Sequence, residues 1–330
     1  MPRIVMEMPP MPGGQALLDA RPDVEVQVLT PGGGVAALDA AMPGADAVVL
    51  GITPFGRETL AKANRLSVVS RFGVGYDNVD VDALSERGVP LAVVGEANCE
   101  TVADHALGMM LAVMHRLPLY DRRMRAGRFL DRQFDAQDDL WRKTVLVVGY
   151  GRIGRRVARR LTAFDVTVLV CDPYVPAEEI AAAGFERVDS LEAALPRADV
   201  VTLHLPALPD GGPLMDAEAF ARMRRGAWFV NVSRGSLVDE AALRASLADG
   251  QVAGAALDVF VEEPIADDDP LLSLDNVVLT PHVASATREG RDRMSAAAIR
   301  NALAGIDGDL DPAMVINQEA LNQGSKSRAS

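Results

Sequence analysis

The sequence predicts an α/β fold with two doubly wound parallel-sheet domains. Short apolar runs alternate with Ala- and Leu-rich or polar segments along most of the 330 residues. Strands that alternate with helices form βαβ units, and such units build parallel sheets. A Gly-x-Gly-x-x-Gly turn lies between an apolar run and a helical pattern, which favours the same fold class. The length of the chain suits one large or two medium domains.

The first hundred residues predict a small, flavodoxin-like doubly wound domain. Its expected strands are the apolar runs at 3–6, 24–29, 46–50, 67–70 and 91–94. Ligands of open α/β sheets bind beyond the carboxyl ends of strands, so the loops 8–13, 51–55 and 72–76 are candidate ligand loops. The turn Gly73-Val74-Gly75 can present free N–H groups to an anion, although a plain tight turn explains its glycines equally well.

The stretch Glu100–Gly127 is the longest helical pattern of the chain. It is apolar nearly all round as far as Leu117, which is typical of a helix buried in a core or against another subunit. Pro118 is expected to kink or divide this helix, since proline disrupts helix interiors. His105 and His115 lie within it and are interpreted as satisfied interior or surface histidines.

The stretch Thr144–Gly154 has the context of a dinucleotide-binding turn. A β-branched apolar run precedes Gly149, Gly151 and Gly154, and a helical pattern follows them. These glycines would allow a tight turn, a close backbone approach to a pyrophosphate, and close packing of helix on strand. The helix N-terminus would attract the phosphates. We therefore expect a Rossmann domain that binds a dinucleotide.

An acidic residue follows the second strand of this domain. Asp172 comes eighteen residues after Gly154, where a carboxylate would accept hydrogen bonds from the adenosine ribose. The same carboxylate would repel the 2′-phosphate of NADP. Pro173 and Tyr174 follow it, with no nearby arginine to receive that phosphate. The sequence therefore favours NAD over NADP.

The remainder of the chain continues the βα pattern. Counted from Thr144, six strands are predicted, at 144–148, 166–170, 199–206, 227–233, 252–260 and 276–280. Asp239 is expected to cap a helix that runs through Leu247 and stops near Gly250. A last helix is expected at 289–304, and the tail from Asn322 has the composition of a disordered segment.

Three charged or titratable residues follow successive strands on the ligand side of the second sheet. They are Arg234, Glu263 and His282. Their residue types suit the oxidation of a 2-hydroxy acid: His282 would accept the hydroxyl proton, Glu263 would orient the imidazole and raise its pKa, and Arg234 would hold the carboxylate. Taken singly, each also fits an ordinary surface or loop residue.

Composition limits the other classes of function. The net charge of −13 argues against nonspecific nucleic-acid binding and against attraction to anionic membranes. Cys99 and Cys171 are too few for a disulfide framework, and the four histidines show no metal-ligand spacing. The proline-broken N-terminus does not resemble a signal peptide, and no apolar run reaches membrane-spanning length. We therefore expect a cytoplasmic protein without a metal.

Several motifs together resemble the NAD-dependent, D-isomer-specific 2-hydroxyacid dehydrogenases. The matching stretches, in family order and spacing, are RFGVGYDNVDV (71–81), NCETVADHALGMML (98–111), VVGYGRIG (147–154), NVSRGSLVDEAAL (231–243), AALDVFVEEP (255–264) and LTPHVAS (279–285). They span most of the chain, which makes the resemblance far more specific than the glycine turn alone.

The resemblance implies a role for each residue that matches a family motif. It implies that Arg234, Glu263 and His282 are catalytic and that Asp258 meets the nicotinamide carboxamide. The implied cofactor contacts further include Gly149, Gly151, Arg152, Ile153, Gly154, Asp172, His204, Pro206, Val232, Ser233, Thr101 and Val102. The backbone amides of Val74 and Gly75 would hold the substrate carboxylate, and Phe55 suggests a partly apolar substrate pocket.

The resemblance also implies domain organisation and assembly. Residues 1–98 and 284–330 would form a discontinuous substrate-binding domain, and residues 99–283 the NAD-binding domain. A homodimer would form through the helix at 100–117. The substrate would be a small 2-keto or 2-hydroxy acid whose side chain the sequence does not identify.

The sequence departs from the family at two places and leaves rival functions open. Residues 208–212 replace the usual adenosine-side loop, and Trp141 stands where a small residue is commoner. An NAD-sensing scaffold similar to the C-terminal-binding-protein corepressors is the rival from another class. A phosphoglycerate dehydrogenase-like enzyme is a further alternative, although the candidate loops offer only Arg57 and Arg71 as cations. Val74 in place of a lysine disfavours a phosphite dehydrogenase, and the Glu–His pair disfavours a formate dehydrogenase.

Overall fold

The structure is a computed structural model that describes residues 1–133, 137–209 and 211–321. The chain divides into two units: unit 1 comprises Met1–Asn98 and Ala286–Ser330, and unit 2 comprises Cys99–Ser285. The expected disordered tail from Asn322 lies outside the described residues, as does Asp210 of the atypical adenosine-side loop.

The strands of the described chain belong to two sheets in which all neighbouring strands are parallel. They are β1 (Arg3–Met6), β2 (Glu25–Val28), β3 (Ala47–Leu50), β4 (Val68–Arg71), β5 (Leu91–Ala92), β6 (Thr144–Val148), β7 (Thr167–Cys171), β8 (Glu186–Arg187), β9 (Val200–Leu203), β10 (Ala227–Asn231), β11 (Val252–Leu257) and β12 (Val277–Leu279).

Helices occupy most connections between these strands. The α-helices are α1 (Pro12–Asp19), α2 (Gly34–Ala41), α3 (Arg57–Lys62), α4 (Val81–Glu86), α5 (Cys99–Met114), α6 (Leu117–Arg125), α7 (Arg152–Leu161), α8 (Ala177–Ala182), α9 (Leu191–Ala194), α10 (Ala217–Arg222), α11 (Glu240–Ala248) and α12 (Arg288–Asp307). Short 3₁₀ turns lie at Phe129–Gln133, Thr162–Phe164, Leu195–Arg197, Gly235–Leu237, Pro270–Ser273 and Pro312–Met314. Within the described ranges, no helix is long and apolar enough to cross a membrane.

Unit 1 is a five-stranded sheet in the order β2-β1-β3-β4-β5 across its described residues. Alternate residues of each strand face opposite sides, so a sheet covered on both faces needs continuous apolar strands. In β1, Ile4 and Met6 join the apolar cluster that contains α1 and α12, whereas Val5 joins the cluster that contains α2, α3 and α4. The doubly wound prediction for this part of the chain is confirmed.

Unit 2 is a parallel sheet in the order β12-β11-β10-β9-β6-β7-β8. Val145 and Val147 of β6 pack in the cluster with α5, α7 and α8, while Leu146 and Val148 pack in the cluster with α9, α10 and α11. The strand order reverses around β6, which places the glycine turn at a topological switch point. The predicted Rossmann architecture is therefore confirmed.

The prediction of six strands in the second domain is wrong. The sheet of unit 2 has seven strands in its described part, because β8 adds an edge strand next to β7. Leu169 pairs with Glu186 and Val170 with Arg187. This strand has only two residues, both charged, so it carries none of the apolar signal by which the other strands were predicted.

The long helical pattern at 100–127 is divided, as expected from Pro118. Helix α5 ends at Met114, Arg116 adopts a left-handed φ of 50°, and α6 begins at Leu117. Pro118 therefore lies in the first turn of α6, where its missing N–H breaks no helical hydrogen bond. Helix α5 packs against α7, β10 and β11, and nine of its sixteen residues are buried, while Asp104 and Gly108 are exposed.

We predict that Phe229→Ala destabilises unit 2 strongly. Phe229 is fully buried and packs edge to face against Phe220, with their ring centroids 5.4 Å apart. Loss of a buried phenyl group costs about 3–5 kcal/mol of unfolding free energy. Chemical denaturation followed by circular dichroism measures this loss. Tyr174→Ala removes an aromatic ring that is 93% exposed and should leave the transition unchanged; equal transitions for both variants would contradict the packing assignment.

Candidate active site

Three neighbouring strands of unit 2 bring the predicted catalytic residues to one edge of the sheet. Strands β10, β11 and β12 are adjacent and parallel, so their carboxyl ends lie at the same edge. Arg234 follows β10, Glu263 lies in the loop after β11, and His282 follows β12. The fold therefore converts three positions that are distant in sequence into neighbours.

Glu263 and His282 form a direct ion-pair contact. Oε2 of Glu263 lies 2.7 Å from Nδ1 of His282, and Oε1 accepts the backbone N–H of Phe260 at 3.0 Å. Both carboxylate oxygens are thus held, and the Nδ1–H of the imidazole donates to the carboxylate. The tautomer that this arrangement selects leaves Nε2 as the ring nitrogen free to exchange a proton.

The electrostatics of this pair favour its charged form. The hydrogen bond to Glu263 raises the pKa of His282 above its ordinary value, while partial burial and the positive charge of Arg234 oppose that rise. Burial by itself raises the pKa of Glu263, but the hydrogen bonds from His282 and Phe260 outweigh it and lower the pKa. The stabilisation by this pair is therefore lost as pH rises through the folded pKa of His282 and as pH falls through that of Glu263.

The turn that carries His282 is held by Asp258. The backbone N–H of His282, which has a left-handed φ of 51°, donates to the carbonyl oxygen of Asp258 at 2.8 Å. Oδ1 of Asp258 accepts from Oγ1 of Thr280 at 2.6 Å and from the N–H of Val283 at 2.9 Å, and Oδ2 accepts from the N–H of Ala284 at 2.8 Å. A left-handed conformation is costly for a residue with a Cβ and persists where surrounding contacts impose it.

Asp258 is fully buried, with no exposed side-chain surface. Burial alone raises the pKa of this carboxyl group, but the adjacent His105 and the hydrogen bonds from Thr280, Val283 and Ala284 outweigh burial and lower the pKa. The charged carboxylate is thus stabilised by donors from within unit 2. The sequence motif implied a contact from this acid to the nicotinamide; the described contacts of the acid are internal.

Two neighbours in sequence, Asn231 and Ser233, hold Arg234 in place. Its carbonyl accepts from Nδ2 of Asn231 at 2.8 Å, and its Nη1 donates to the carbonyl of Ser233 at 2.6 Å. A Cβ added at Gly235 would lie 1.9 Å from the carbonyl of Phe260, so only glycine lets the turn after β10 touch the loop after β11. Gly235 therefore sets the spacing between the Arg234 turn and the Glu263 loop.

The glycine turn after β6 has the close approaches that the sequence predicts. Gly149 has φ of 89°, and a Cβ there would lie 2.5 Å from the carbonyl oxygen of His204. A Cβ at Gly154 would lie 2.0 Å from the carbonyl oxygen of Gly149. By contrast, among the residues that the structure describes, none would contact a Cβ at Gly151 and no side chain caps the N-terminus of α7 there. Arg152 is exposed and Ile153 half-buried beside this open terminus, which suits an anionic ligand.

Asp172 is fixed at the end of β7 by backbone donors. Oδ2 accepts the N–H of Tyr150 at 2.7 Å, and Oδ1 accepts the N–H groups of Tyr174 at 2.8 Å and Val175 at 3.2 Å. The carboxylate is therefore oriented next to the glycine turn. An acid in this position can accept ribose hydroxyls and repel a phosphate.

The other predicted cofactor residues of unit 2 differ in exposure. His204 is buried, Nε2 lies 2.9 Å from Oγ1 of Thr202, and burial lowers the pKa of this imidazole to about 3. Its Nδ1 has no partner within the described residues. Oγ of Ser233 donates to the carbonyl of Leu203 at 2.6 Å, which ties the β10 turn to β9. Pro206 is exposed, while three predicted residues are buried: Thr101, Val102 and Val232.

In unit 1, the loop at 72–76 presents backbone N–H groups. The carbonyl of Gly73 accepts the N–H of Val94, which turns the N–H of Val74 in the opposite direction. No protein acceptor for the N–H groups of Val74, Gly75 and Tyr76 occurs in the described part of the chain. Successive free N–H groups in one turn form an anion-binding concavity.

A pair of charged side chains clamps the neighbouring backbone of unit 1. Nη1 of Arg71 donates to the carbonyl of Leu50 at 3.0 Å, and Nε donates to the carbonyl of Gly75 at 2.7 Å. The other end of the same Leu50–Gly51 peptide, the N–H of Gly51, donates to Oε2 of Glu7. We call this arrangement of Glu7, Arg71 and the Leu50–Gly51 peptide the peptide clamp. It fixes the loop that carries the free N–H groups.

The structure places Phe55 in the interior of unit 1. Its side chain is 1% exposed and packs in the cluster with Leu60 and Leu84. The backbone of Phe55 bonds to Asn78 and Asp80, which closes the loop after β3. The loop at 51–55 thus exposes Ile52, which is 88% exposed, and buries Phe55.

Sequence reasoning did not identify the contacts of several residues, three of which lie in the site of unit 2 and one beside the loop of unit 1. Thr280 and His105 contact Asp258, Asn231 holds the Arg234 turn, and Arg71 holds the loop at 72–76. Thr280 and Asn231 lie inside motifs that the sequence displays, so their positions were visible although their contacts were not. The position of His105 was visible too, since it lies inside the motif at 98–111, but nothing local indicated its partners, which follow β11 and β12 far along the chain.

We predict that Glu263→Gln lowers the pKa of His282. The amide keeps the size of the side chain but removes the charge whose hydrogen bond raises the histidine pKa. Titration of ring carbon and nitrogen resonances by NMR measures the change, and only four histidines contribute signals. Glu262→Gln, a charge loss at the adjacent exposed residue, is the matched control. An unchanged His282 titration in Glu263→Gln would contradict the pairing.

Comparison with known proteins places these features in a family. Residues 107–284 match the model of the D-isomer specific 2-hydroxyacid dehydrogenase, NAD binding domain. D-3-phosphoglycerate dehydrogenase of Mycobacterium bovis is 43% identical over 270 residues, which are 81% of this chain and 51% of that protein. The chain thus spans about half the length of such curated relatives.

Similarity also extends to shorter proteins and to a solved structure. Glyoxylate reductase of Korarchaeum cryptofilum is 39% identical over 280 residues, 84% of each chain. The crystal structure of D-lactate dehydrogenase from Aquifex aeolicus, complexed with NAD and lactic acid, matches with a TM-score of 0.83 and 27% identity, over 96% of this chain and 99% of that one. The chain belongs to the D-isomer-specific 2-hydroxyacid dehydrogenase family, and unit 2 contains its NAD-binding domain.

Proposed function

We propose that this protein is an NAD-dependent dehydrogenase that reversibly interconverts a 2-keto acid and a D-2-hydroxy acid. The observation that carries the proposal is the contact of 2.7 Å between Glu263 and His282, beside Arg234 at the edge of the NAD-binding sheet. An oriented histidine and an arginine are the proton donor and the carboxylate ligand that this reaction needs. The relatives named glyoxylate reductase and D-lactate dehydrogenase support the same reaction class.

The residues of unit 2 fit NAD. The uncapped N-terminus of α7, opened by Gly151, would bind the pyrophosphate through Arg152 and Ile153, and Asp172 would accept the ribose hydroxyls. His204 and Pro206 follow β9, the neighbour of β6, and Ser233 follows β10, the next strand of the sheet. When bound, the cofactor supplies or accepts the hydride. The placement of Asp172 favours NAD over NADP.

His282 performs the proton transfer in this proposal. In reduction of the keto acid, the imidazolium donates a proton from Nε2 to the carbonyl oxygen, and in oxidation the neutral imidazole accepts it. Glu263 stabilises the imidazolium through Nδ1 and keeps the ring oriented. Arg234 holds the substrate carboxylate and polarises the keto oxygen. Reduction should therefore slow as pH rises through the raised pKa of His282, while oxidation should accelerate.

We propose unit 1 as the substrate-binding domain, with the N–H groups of Val74 and Gly75 as ligands for a carboxylate. Both cations of its candidate loops already have partners: Arg57 pairs with Glu86, and Arg71 donates to two backbone carbonyls. This arrangement supports a 2-keto acid without a phosphate group. The phosphoglycerate dehydrogenase relatives make a phosphorylated substrate the second candidate.

We propose a homodimer that forms through the helix at 100–117 and the segment that follows it. Leu117, Met124, Phe129 and Leu130 are each more than half exposed, although all four are apolar. Exposed apolar side chains in one segment are typical of a subunit interface. Light scattering should therefore give twice the chain mass, and Leu130→Glu should shift the protein toward monomer. A wild-type monomer at all concentrations would contradict the proposal.

We further propose a cytoplasmic location, where NADH is available. Cys99 and Cys171 are both free thiols, which suits a reducing compartment. Fractionation of cells that express the tagged protein tests this; recovery outside the cytoplasm would overturn it.

The deciding experiment measures NADH consumption by purified protein with a panel of 2-keto acids. Glyoxylate, hydroxypyruvate and pyruvate should be reduced faster than 3-phosphohydroxypyruvate. His282→Ala should lower turnover about 10²- to 10⁴-fold while NADH binding, followed by fluorescence, survives. NADH binding without turnover of any acid would favour the scaffold function. Preference for the phosphorylated acid would favour the phosphoglycerate dehydrogenase-like alternative.

We predict that Asp172→Ser relaxes the cofactor preference. The wild-type carboxylate repels the 2′-phosphate, so NADPH should serve poorly and should gain relative to NADH in the variant. The ratio of kcat/KM values for the two cofactors measures the change. Asp165→Ser, which removes an acid beyond the C-terminus of α7, is the control and should leave the ratio unaltered. Equal ratios in wild type and Asp172→Ser would sink the assignment.

A further inference from the structure

A second histidine of unit 2 contacts the residues that hold the His282 turn. Nε2 of His105, on α5, lies 3.1 Å from Oγ1 of Thr280 and 3.5 Å from Oδ1 of Asp258. The side chain of His105 is 24% exposed, whereas that of Asp258 is completely buried. The histidine thus covers one side of the carboxylate.

The hydrogen bonds have a defined direction. Thr280 has one hydroxyl proton, and the acceptor at 2.6 Å is the carboxylate oxygen Oδ1 of Asp258. Oγ1 of Thr280 therefore remains as the acceptor for the Nε2–H of His105. The contacts form a chain from His105 through Thr280 to Asp258, and the backbone carbonyl of Asp258 receives the N–H of His282.

Each link of this hydrogen-bond chain restrains the turn that carries His282. Asp258 accepts from Thr280, Val283 and Ala284 with its side chain and from His282 with its backbone. Thr280, Val283 and Ala284 are also the neighbours in sequence of His282, whose backbone is left-handed. A buried carboxylate is costly to keep charged when its donors are displaced. Loss of His105 would remove the donor to Thr280, whose hydroxyl holds Oδ1 of Asp258, and would thereby loosen the group that fixes the turn.

We propose that His105 is a positioning residue for His282, acting through the hydroxyl of Thr280 and the carboxylate of Asp258. This inference rests on the proposed acid–base role of His282. His105 touches neither reacting group in the described contacts of unit 2, so its effect is on the orientation of the His282 ring and on the strength of the Glu263 contact. A misoriented catalytic group lowers the rate of the catalytic step more than it weakens substrate binding.

The test compares variants that keep or remove one donor. His105→Gln keeps an N–H at the reach of Nε2, whereas His105→Ala removes it. We expect His105→Ala to lower kcat about 10- to 100-fold with little change in KM or NADH affinity, and His105→Gln to recover most of this loss. His115→Ala removes the next histidine of the same segment and should retain wild-type kcat.

A second readout does not require turnover. The charged groups that face His282 are Glu263 and Asp258 from the loop and end of β11, and Arg234 from the end of β10. Looser pairing with Glu263 should bring the NMR-measured titration of His282 in His105→Ala back toward the ordinary histidine value. His105→Gln and His115→Ala should titrate as wild type does. If no 2-keto acid is turned over, the proposed function fails. The NMR titration of His282 then still decides whether His105 positions the His282 ring.

The outcomes are distinct. Wild-type kcat and wild-type His282 titration in His105→Ala would overturn the proposal, and so would equal losses in His105→Gln and His105→Ala. If His105→Ala does not fold, the hydrogen-bond chain can be tested at its next residue, Thr280. Thr280→Val removes the hydroxyl and breaks the chain, whereas Thr280→Ser keeps the hydroxyl. Loss in the valine variant with recovery in the serine variant would support the proposal; equal behaviour of the two would overturn it.

Discussion

The buried charge of Asp258 is the constraint on which the site of unit 2 depends. A carboxylate without exposed surface is stable only when donors replace the water it has lost. Those donors are Thr280, Val283 and Ala284, and all three belong to the segment that carries His282. Satisfying the buried acid and shaping the turn that carries His282 are therefore one structural requirement.

Backbone contacts that only glycine permits set the distances around this centre. Gly235 brings the turn after β10 against the loop after β11, and Gly154 brings α7 against Gly149. At both places a side chain would collide with a carbonyl group, which is rigid and cannot move aside. The spacing of the strands in a parallel sheet is nearly fixed, so these glycines decide how closely the loops beyond the strand ends can converge.

Much of the fold could be predicted from the sequence because the signals were local. β-Branched apolar runs predicted the central strands, and Pro118 predicted the break between α5 and α6. Asp239 predicted the start of α11, where its side chain accepts the N–H of Ala242. The edge strand β8 could not be predicted, since two charged residues carry no strand periodicity. Its existence depends on pairing with β7.

The candidate site was only partly visible in the sequence for a similar reason. Arg234, Glu263 and His282 could be named because each follows a predicted strand. The contact between His105 and Thr280 joins residues 175 positions apart, and no local pattern encodes such a contact. Phe55 is the opposite case: its aromatic character suggested a pocket, but strand-like pairing with Val79 directs it into the core of unit 1.

The peptide clamp of unit 1 has a consequence for how this protein can change. Glu7 and Arg71 hold the Leu50–Gly51 peptide from both ends, and Arg71 also holds the carbonyl of Gly75. The side chains beside these fixed points, Ile52 and Tyr76, are exposed and carry little of the packing. At this sheet edge the backbone is therefore fixed, while the side chains beside it are free to vary. Mutation can alter the chemical character of that edge while its backbone framework is inherited intact.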